Sequence, residues 1–186
     1  MVITINGAPG SGKSTVTDRL AKLLHYKTID IGQLRRKAAQ QKGMSLHEFN
    51  AWSEAHPSAG DRAFDRQLVT TVRRQPRVVI SSRTAWHFFP DSFKVMLTVD
   101  PHVGAKRTLE NRRERQSELG THRSITSVMR LHAKRVRSDR KRYRALYGVD
   151  FLQKRQYDIV LDTSRIPIPT VIRKVTTAFR SWKKAR

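Results

Sequence analysis

Nine residues near the start of the chain constrain its fold more than any other stretch. Gly7-Ala8-Pro9-Gly10-Ser11-Gly12-Lys13-Ser14-Thr15 fits the pattern G-x-x-x-x-G-K-[ST]. An apolar run from Val2 to Ile5 precedes it, and a segment with Val16, Leu20, Leu23 and Leu24 at helical spacing follows it. A strand, a glycine-rich turn and a helix in that order aim backbone N–H groups and the positive end of a helix at one point, which is what a polyphosphate needs. Lys13 is placed to reach the β- and γ-phosphates of a nucleoside triphosphate, and the Ser14 hydroxyl to ligate Mg2+. The expected ligands are therefore ATP, cradled by Gly7 to Thr15, and Mg2+, with Lys13 acting on the transferring phosphoryl group.

Lys27 to Ile31, Val78 to Ile80, Phe93 to Val99 and Tyr157 to Leu161 read as four further strands. Helical segments separate them. Gln33 to about Arg74 is helical in pieces, with Ser45 and Glu48 spaced as a capping box. An Arg-rich stretch runs from about His102 to Leu146 with a break near Gly120. After Pro167 and Pro169 a last helix carries Val171, Ile172, Val175, Phe179 and Trp182 on one face. Strands apolar on both faces, alternating with helices, predict an α/β fold of three layers around a five-stranded parallel sheet. A chain of 186 residues suits one domain, 1–186, rather than two independent cores.

Several classes fall away. There is no N-K-x-D guanine signature, and larger ATPase classes rarely fit one compact domain, so a kinase is favoured over a GTPase or motor. The strand at Val78–Ile80 leads into Ser81-Ser82-Arg83 with no acid to support magnesium. Asp100 either supplies that carboxylate or caps the following helix. The chain has no cysteine, and its seven histidines lack metal-ligand spacing. No window approaches the roughly 18 apolar residues of a membrane span. The strand starting at Val2 leaves no room for a leader, so a cytoplasmic protein is expected.

Charge is the unusual property. Lys and Arg number 38 against 15 Asp and Glu, a net +23. Residues 1–101 hold fifteen basic and eight acidic side chains, and residues 102–186 hold twenty-three and seven. A small-molecule kinase needs only a few arginines. The excess predicts either a polyanionic partner, RNA or a ribonucleoprotein, bound through residues 102–186, or a solvated basic surface without one.

Beyond the phosphate loop, Asp30-Ile31-Gly32-Gln33-Leu34-Arg35-Arg36, Gly43-Met44-Ser45-Leu46 and Asp61-Arg62-Ala63-Phe64-Asp65 form an ordered series. Val78 to Arg83, Arg140 to Tyr143, Tyr147 to Asp150 and Asp162-Thr163-Ser164 continue it. In order and spacing this series resembles the cytidylate kinases, particularly their short archaeal-type branch, over nearly the whole chain. The resemblance implies a P-loop nucleoside monophosphate kinase that passes the ATP γ-phosphoryl group to CMP or dCMP. It implies a small helical insertion for the acceptor over about 30–75, and an Arg-rich lid with its following helix over about 106–146. Arg36 and Arg83 match acceptor-phosphate positions. Arg135, Asp139 and Arg142 fall on the family's R-x-x-x-D-x-x-R pattern, whose i, i+4 and i+7 spacing puts them on one helix face toward one cleft. The resemblance gives Arg135 the charge of the transferring group, and Asp139 and Arg142 the acceptor nucleotide. Arg107, Arg112, Arg113 and Arg115 are further lid candidates.

The chain departs from the family at Gln33, where relatives carry an acid. Lys134, Val136 and Arg137 likewise replace acids around Arg135, so the lid reads as short of compensating charge. Trp86, three residues beyond Arg83, is either a packing residue or a base-stacking platform. The alternative function is an RNA- or ribonucleoprotein-binding protein on a kinase fold, with ATP binding retained.

Overall fold

In a computed structural model that describes residues 1–75 and 77–186, apart from the side chains of Glu114 and Ser117, the run after Met1 becomes strand β1 (Val2–Gly7). It lies at the centre of a five-stranded sheet with β2 (Lys27–Asp30), β3 (Val78–Ser81), β4 (Phe93–Thr98) and β5 (Ile159–Asp162), in the order β2-β3-β1-β4-β5. Every pairing is parallel, with Ile3 opposite Val79 on one side and Phe93 on the other. Ile3, Ile5, Val78, Val79, Ile80, Val95 and Leu97 have no exposed surface. Helices cover both faces, which is why these strands read as unbroken apolar runs.

On one face, α1 (Lys13–Leu24) and α9 (Ile168–Lys184) pack Val16, Leu20, Val171, Val175 and Phe179 onto Ile3, Ile5, Val79 and Phe93. On the other, Leu68 and Val72 of α4 (Asp61–Arg74) and Ala85 of the short α5 (Ala85–Phe88) cover Val78 and Ile80. Val79 and its two neighbours thus face opposite layers, as strand alternation demands. The expected three-layer α/β fold is found, and no helix among the described residues is long and apolar enough to cross a membrane.

The helical pieces after β2 are α2 (Ile31–Gln41), α3 (Leu46–Ala55) and α4, with the Ser45–Glu48 capping box formed in both directions. The Arg-rich stretch comprises α6 (Pro101–Glu110), a 3-10 turn at Arg113–Arg115, α7 (Gln116–Leu119) and α8 (Ile125–Tyr147). Gly120, with φ of 50°, lies within the break, as expected. Ala105, Leu119 and Val128 give this stretch a small core of its own. Some details differ from expectation: α5 and a 3-10 turn at Lys154–Gln156 form where no element is expected, β2 and β4 each end one residue early, and the last strand runs from Ile159 to Asp162 rather than from Tyr157 to Leu161. The Tyr157 ring is buried before the strand, its hydroxyl donating to the Phe151 carbonyl at 2.7 Å. A residue type favoured in strands is used there as a tertiary anchor.

From β1 the chain crosses to β2 on one side, and from β3 to β4 on the other. The carboxyl end of β1 therefore opens at the point where connections diverge, the usual place for ligands in such sheets.

Candidate active site

The turn between β1 and α1 depends on left-handed glycines, Gly10 at φ 76° and Gly12 at φ 79°. It also depends on Gly104 in α6. A Cβ at Gly104 would lie 2.8 Å from the Pro9 carbonyl oxygen, and one at Gly10 would lie 2.2 Å from that of Gly104. Helix and turn touch backbone to backbone, which only glycine permits. Gly104 was missed in the sequence; a glycine inside a helical pattern was the available signal. Ser11, buried, accepts from the Thr163 hydroxyl at 3.1 Å, which ties the loop to the end of β5.

Gly7 to Gly10, Gly12, Lys13 and Ser14 line one pocket together with Asp30, Arg36, Arg83, Arg115 and Arg135. Lys13 is partly buried rather than free in the loop, and burial, with Arg83 next, pushes its ammonium down to about 7, although Asp30 opposes this. The Ser14 hydroxyl donates to Asp30 at 2.6 Å, and the other Asp30 oxygen accepts from the Gln33 N–H, capping α2. Burial pushes the Asp30 carboxyl up, but Lys13, Ser14 and the Gln33 N–H together outweigh it and hold it below its ordinary value. The Ser14 hydroxyl at the start of α1 and the Asp30 carboxylate at the end of β2 are two hard oxygens that fit Mg2+. Asp100, the carboxylate considered from the sequence, instead caps α6 through the His102 and Val103 N–H groups. Among the described residues no three His, Asp or Glu cluster as a further metal site.

Neighbouring arginines in α2 separate by helix phase. Arg36 lines the pocket, its guanidinium pulled down by burial and then Arg115. Arg35 turns inward, donating to Asp61 at 2.7 Å and to Asn50 at 2.8 Å, its guanidinium against the rings of Phe49 and Phe64. Arg83 pairs with Asp139 and lies 5.2 Å from the Phe151 ring centre; burial, then Arg135, push it down to about 9.

Of Arg135, Asp139 and Arg142, expected to point into one cleft, Arg135 lines the pocket. The other two lie behind the pocket wall. Asp139 accepts from Arg142 at 2.6 Å, and Arg142 reaches Asp61 at 3.0 Å, all three side chains being no more than 3% exposed. A continuous buried chain of charges, Arg35–Asp61–Arg142–Asp139–Arg83, thus joins α2, α4 and α8 to the turn after β3.

A second cavity of about 260 Å³ adjoins the loop at Gly12 and Thr15 and is walled by Arg107, Asn111, Arg115, Pro167 and Ile168. Of the four further arginines, Arg107 and Arg115 reach a cavity. Arg112 instead donates to the His122 and Gly120 carbonyls, and Arg113 is exposed. Trp86 donates its indole N–H to the Arg83 carbonyl at 2.9 Å and packs on Tyr157, so here it braces the Arg83 turn.

With this geometry in view, the model of the cytidylate kinase-like family matches residues 2–165. The chain belongs to that family. It is 31% identical over 185 residues to a cytidylate kinase of Methanocaldococcus jannaschii, covering 99% of this chain and 100% of that one. A cytidylate kinase of Pyrococcus abyssi is 34% identical over 166 residues, 89% of this chain and 86% of the relative. Among solved structures, a shikimate kinase from Bacteroides thetaiotaomicron aligns with a TM-score of 0.63 at 19% identity, over 97% of this chain and 98% of that one, a likeness of fold. Family and fold together make the chain an ATP-dependent nucleoside monophosphate kinase.

Proposed function

We propose that this kinase transfers the γ-phosphoryl group of ATP to CMP or dCMP, giving ADP and the nucleoside diphosphate. The observation that carries the reading is the convergence of Lys13 with Arg36, Arg83, Arg115 and Arg135 on one pocket. A triphosphate and a monophosphate brought end to end need that much positive charge. The reaction asks for positioning and charge neutralisation rather than covalent catalysis. An oxygen of the acceptor monophosphate, already ionised near pH 7, attacks the γ-phosphorus as the bond to the β-bridging oxygen breaks, and ADP leaves. No general base is required.

In this reading the ATP adenosine lies in the 260 Å³ cavity beside Arg107 and Ile168, and its phosphates lie along Gly7 to Thr15. Mg2+, held with the phosphates by Ser14 and Asp30, would offset charge on the β- and γ-oxygens. Lys13 and Arg135 face the transferring group, while Arg36 and Arg83 hold the acceptor phosphate. Asp139 and Arg142 serve the acceptor by fixing Arg83 from behind. Residues of about 30–75 act as the acceptor-side insertion, and about 106–146 as the lid and its following helix. We assign the enzyme to the cytoplasm, where ATP and free monophosphates are found.

A coupled assay with ATP across all nucleoside monophosphates tests this. Cytidine monophosphates should be the best acceptors. Arg36→Ala and Arg83→Ala should raise acceptor KM at least about tenfold with little change in ATP KM, and Lys13→Ala should cost at least ~100-fold in rate. AMP or GMP as the best substrate, or arginine variants that weaken ATP alone, would refute the acceptor assignment.

A second reading, compatible with the first, rests on another surface. An open hollow of about 480 Å³ between α4 and the end of α8 is walled by Arg62, Arg66 and Arg73, with one acid, Asp65, bonded to the Tyr147 hydroxyl, and contains the Phe88 and Tyr147 rings. Basic walls with aromatic rings suit single-stranded RNA. Of the fourteen basic residues between Lys106 and Arg144, eight are exposed, adding to the same field.

A further inference from the structure

Five cationic side chains crowd the phosphate pocket, and like charges at that spacing repel. Asp30 sits beside Lys13, and Asp139 holds Arg83. Arg115 and Arg135 come from separate elements, a 3-10 turn and the middle of α8, and what joins them is Glu118 of α7. Its side chain is 3% exposed. One carboxylate oxygen accepts from Arg135 at 2.6 Å and the other from Arg115 at 3.1 Å. His132 Nε2 lies 3.9 Å away. Burial would push the Glu118 carboxyl up, but Arg135 and Arg115 outweigh it and hold it at about 2. His132 is pushed down to about 4 by burial, with Arg135 and Arg115 adding to this against Glu118, so the imidazole is neutral near pH 7. The negative charge of Glu118 is therefore directed at the two guanidiniums.

We propose that Glu118 is a positioning residue for phosphoryl transfer: by bridging Arg115 to Arg135 it fixes both guanidiniums on the wall of the phosphate pocket and fastens the short turn carrying Arg115 to α8. The inference rests on the reading that these arginines face the transferring group. It also answers the shortage of acids around Arg135 seen in the sequence. The compensating carboxylate comes from seventeen residues upstream, in another helix. A guanidinium held in place contributes most where charge develops in the transition state, so the effect belongs in kcat rather than in acceptor binding, which Arg36 and Arg83 carry.

The test uses the full chain with Glu118→Gln, Glu118→Asp, Arg115→Ala, Arg135→Ala and the double variant Glu118→Gln/Arg135→Ala, each checked for folding by thermal unfolding. Glu118→Gln should lower kcat roughly 10- to 100-fold with acceptor KM within about threefold of wild type. Glu118→Asp should recover a large part of the loss. In the Arg135→Ala background the Gln substitution should cost much less than it does alone, because its effect runs through that arginine. Wild-type kcat in folded Glu118→Gln, or a fully additive double variant, overturns the proposal. If the Gln variant does not fold, Glu118→Asp decides: reduced kcat at unchanged acceptor KM supports the role, and wild-type kinetics overturn it. If Arg115→Ala and Arg135→Ala both turn over like wild type, the pocket assignment itself fails, and this proposal with it.

Discussion

Replacing Asp61 by Ala removes the shared partner of two arginines that have no route to water. Arg35 lies 2.7 Å from one carboxylate oxygen and Arg142 lies 3.0 Å from the other, with side-chain exposures of 7% and 2%. Asp61 also lies in the first turn of α4, where a negative charge favours the helix. Arg35 retains Asn50 and Ser53, and Arg142 retains Asp139, so neither is wholly abandoned. Stranding a buried charge costs about 3–5 kcal/mol. For a domain of this size that corresponds to a fall in Tm of about 6–20 °C. Buried pairs are poorly screened, so the loss should persist at about 1 M salt. Arg144→Ala is the contrast: its pairing with Asp150 involves a side chain 54% exposed, and no measurable shift is expected. The assay is thermal unfolding monitored by circular dichroism at low and high salt. A melting point for Asp61→Ala within about 2 °C of wild type would show that the buried chain of charges does not bear on stability, and the reasoning would fail.

Two further outcomes are expected. Because Lys13 is pushed down to about 7 and ATP phosphates favour its charged form, ATP binding at pH 8 should take up protons, and ATP affinity should weaken as pH rises from 7 to 9. Calorimetry in two buffers of different ionisation enthalpy measures this, and identical heats with a flat pH profile would contradict it. Single-stranded RNA should bind in a salt-dependent way, with a log–log slope of about −3.5 if five phosphates are neutralised, weakened by Arg62→Glu with Arg66→Glu. Filter binding that detects no complex at low salt would reduce the +23 charge to a surface property without this partner.

The parts of the site legible in the sequence were those that local geometry dictates. The phosphate loop needs glycine, lysine and serine at fixed offsets, and the apolar runs announce a sheet covered on both faces. Arg36 and Arg83 converge because both follow strand ends. Other parts depend on contacts that no local pattern records. Asp30 reads as part of the strand-like run Lys27 to Ile31, and its bond to Ser14 spans sixteen residues. Glu118 is one acid in an arginine-rich stretch, and nothing nearby says which arginines it meets. The division between Arg35 and Arg36 was in principle readable, because Arg35 and Ala39 share the buried face of α2. A polar residue at an apolar phase is easily taken for a surface charge.

The backbone contact between Gly10 and Gly104 has a mechanical consequence. Helix α6 is keyed to the phosphate loop with no side chain between them to act as a bearing, so a shift of one against the other has no room to be taken up. Helix α8 packs on α6 through Val128 and Ala105, and its C-terminal part is tied to Asp61 by Arg142. Between them runs the span from Asn111 to Ser124, anchored by Leu119 against Ala105 and Val128 and by Glu118 against Arg135. That span carries Arg115 and Glu118, whereas Arg107 belongs to α6 and Arg135 to α8. One guanidinium on the pocket wall is thus carried by a connecting span rather than by a long helix, and Glu118 is what fastens it to α8.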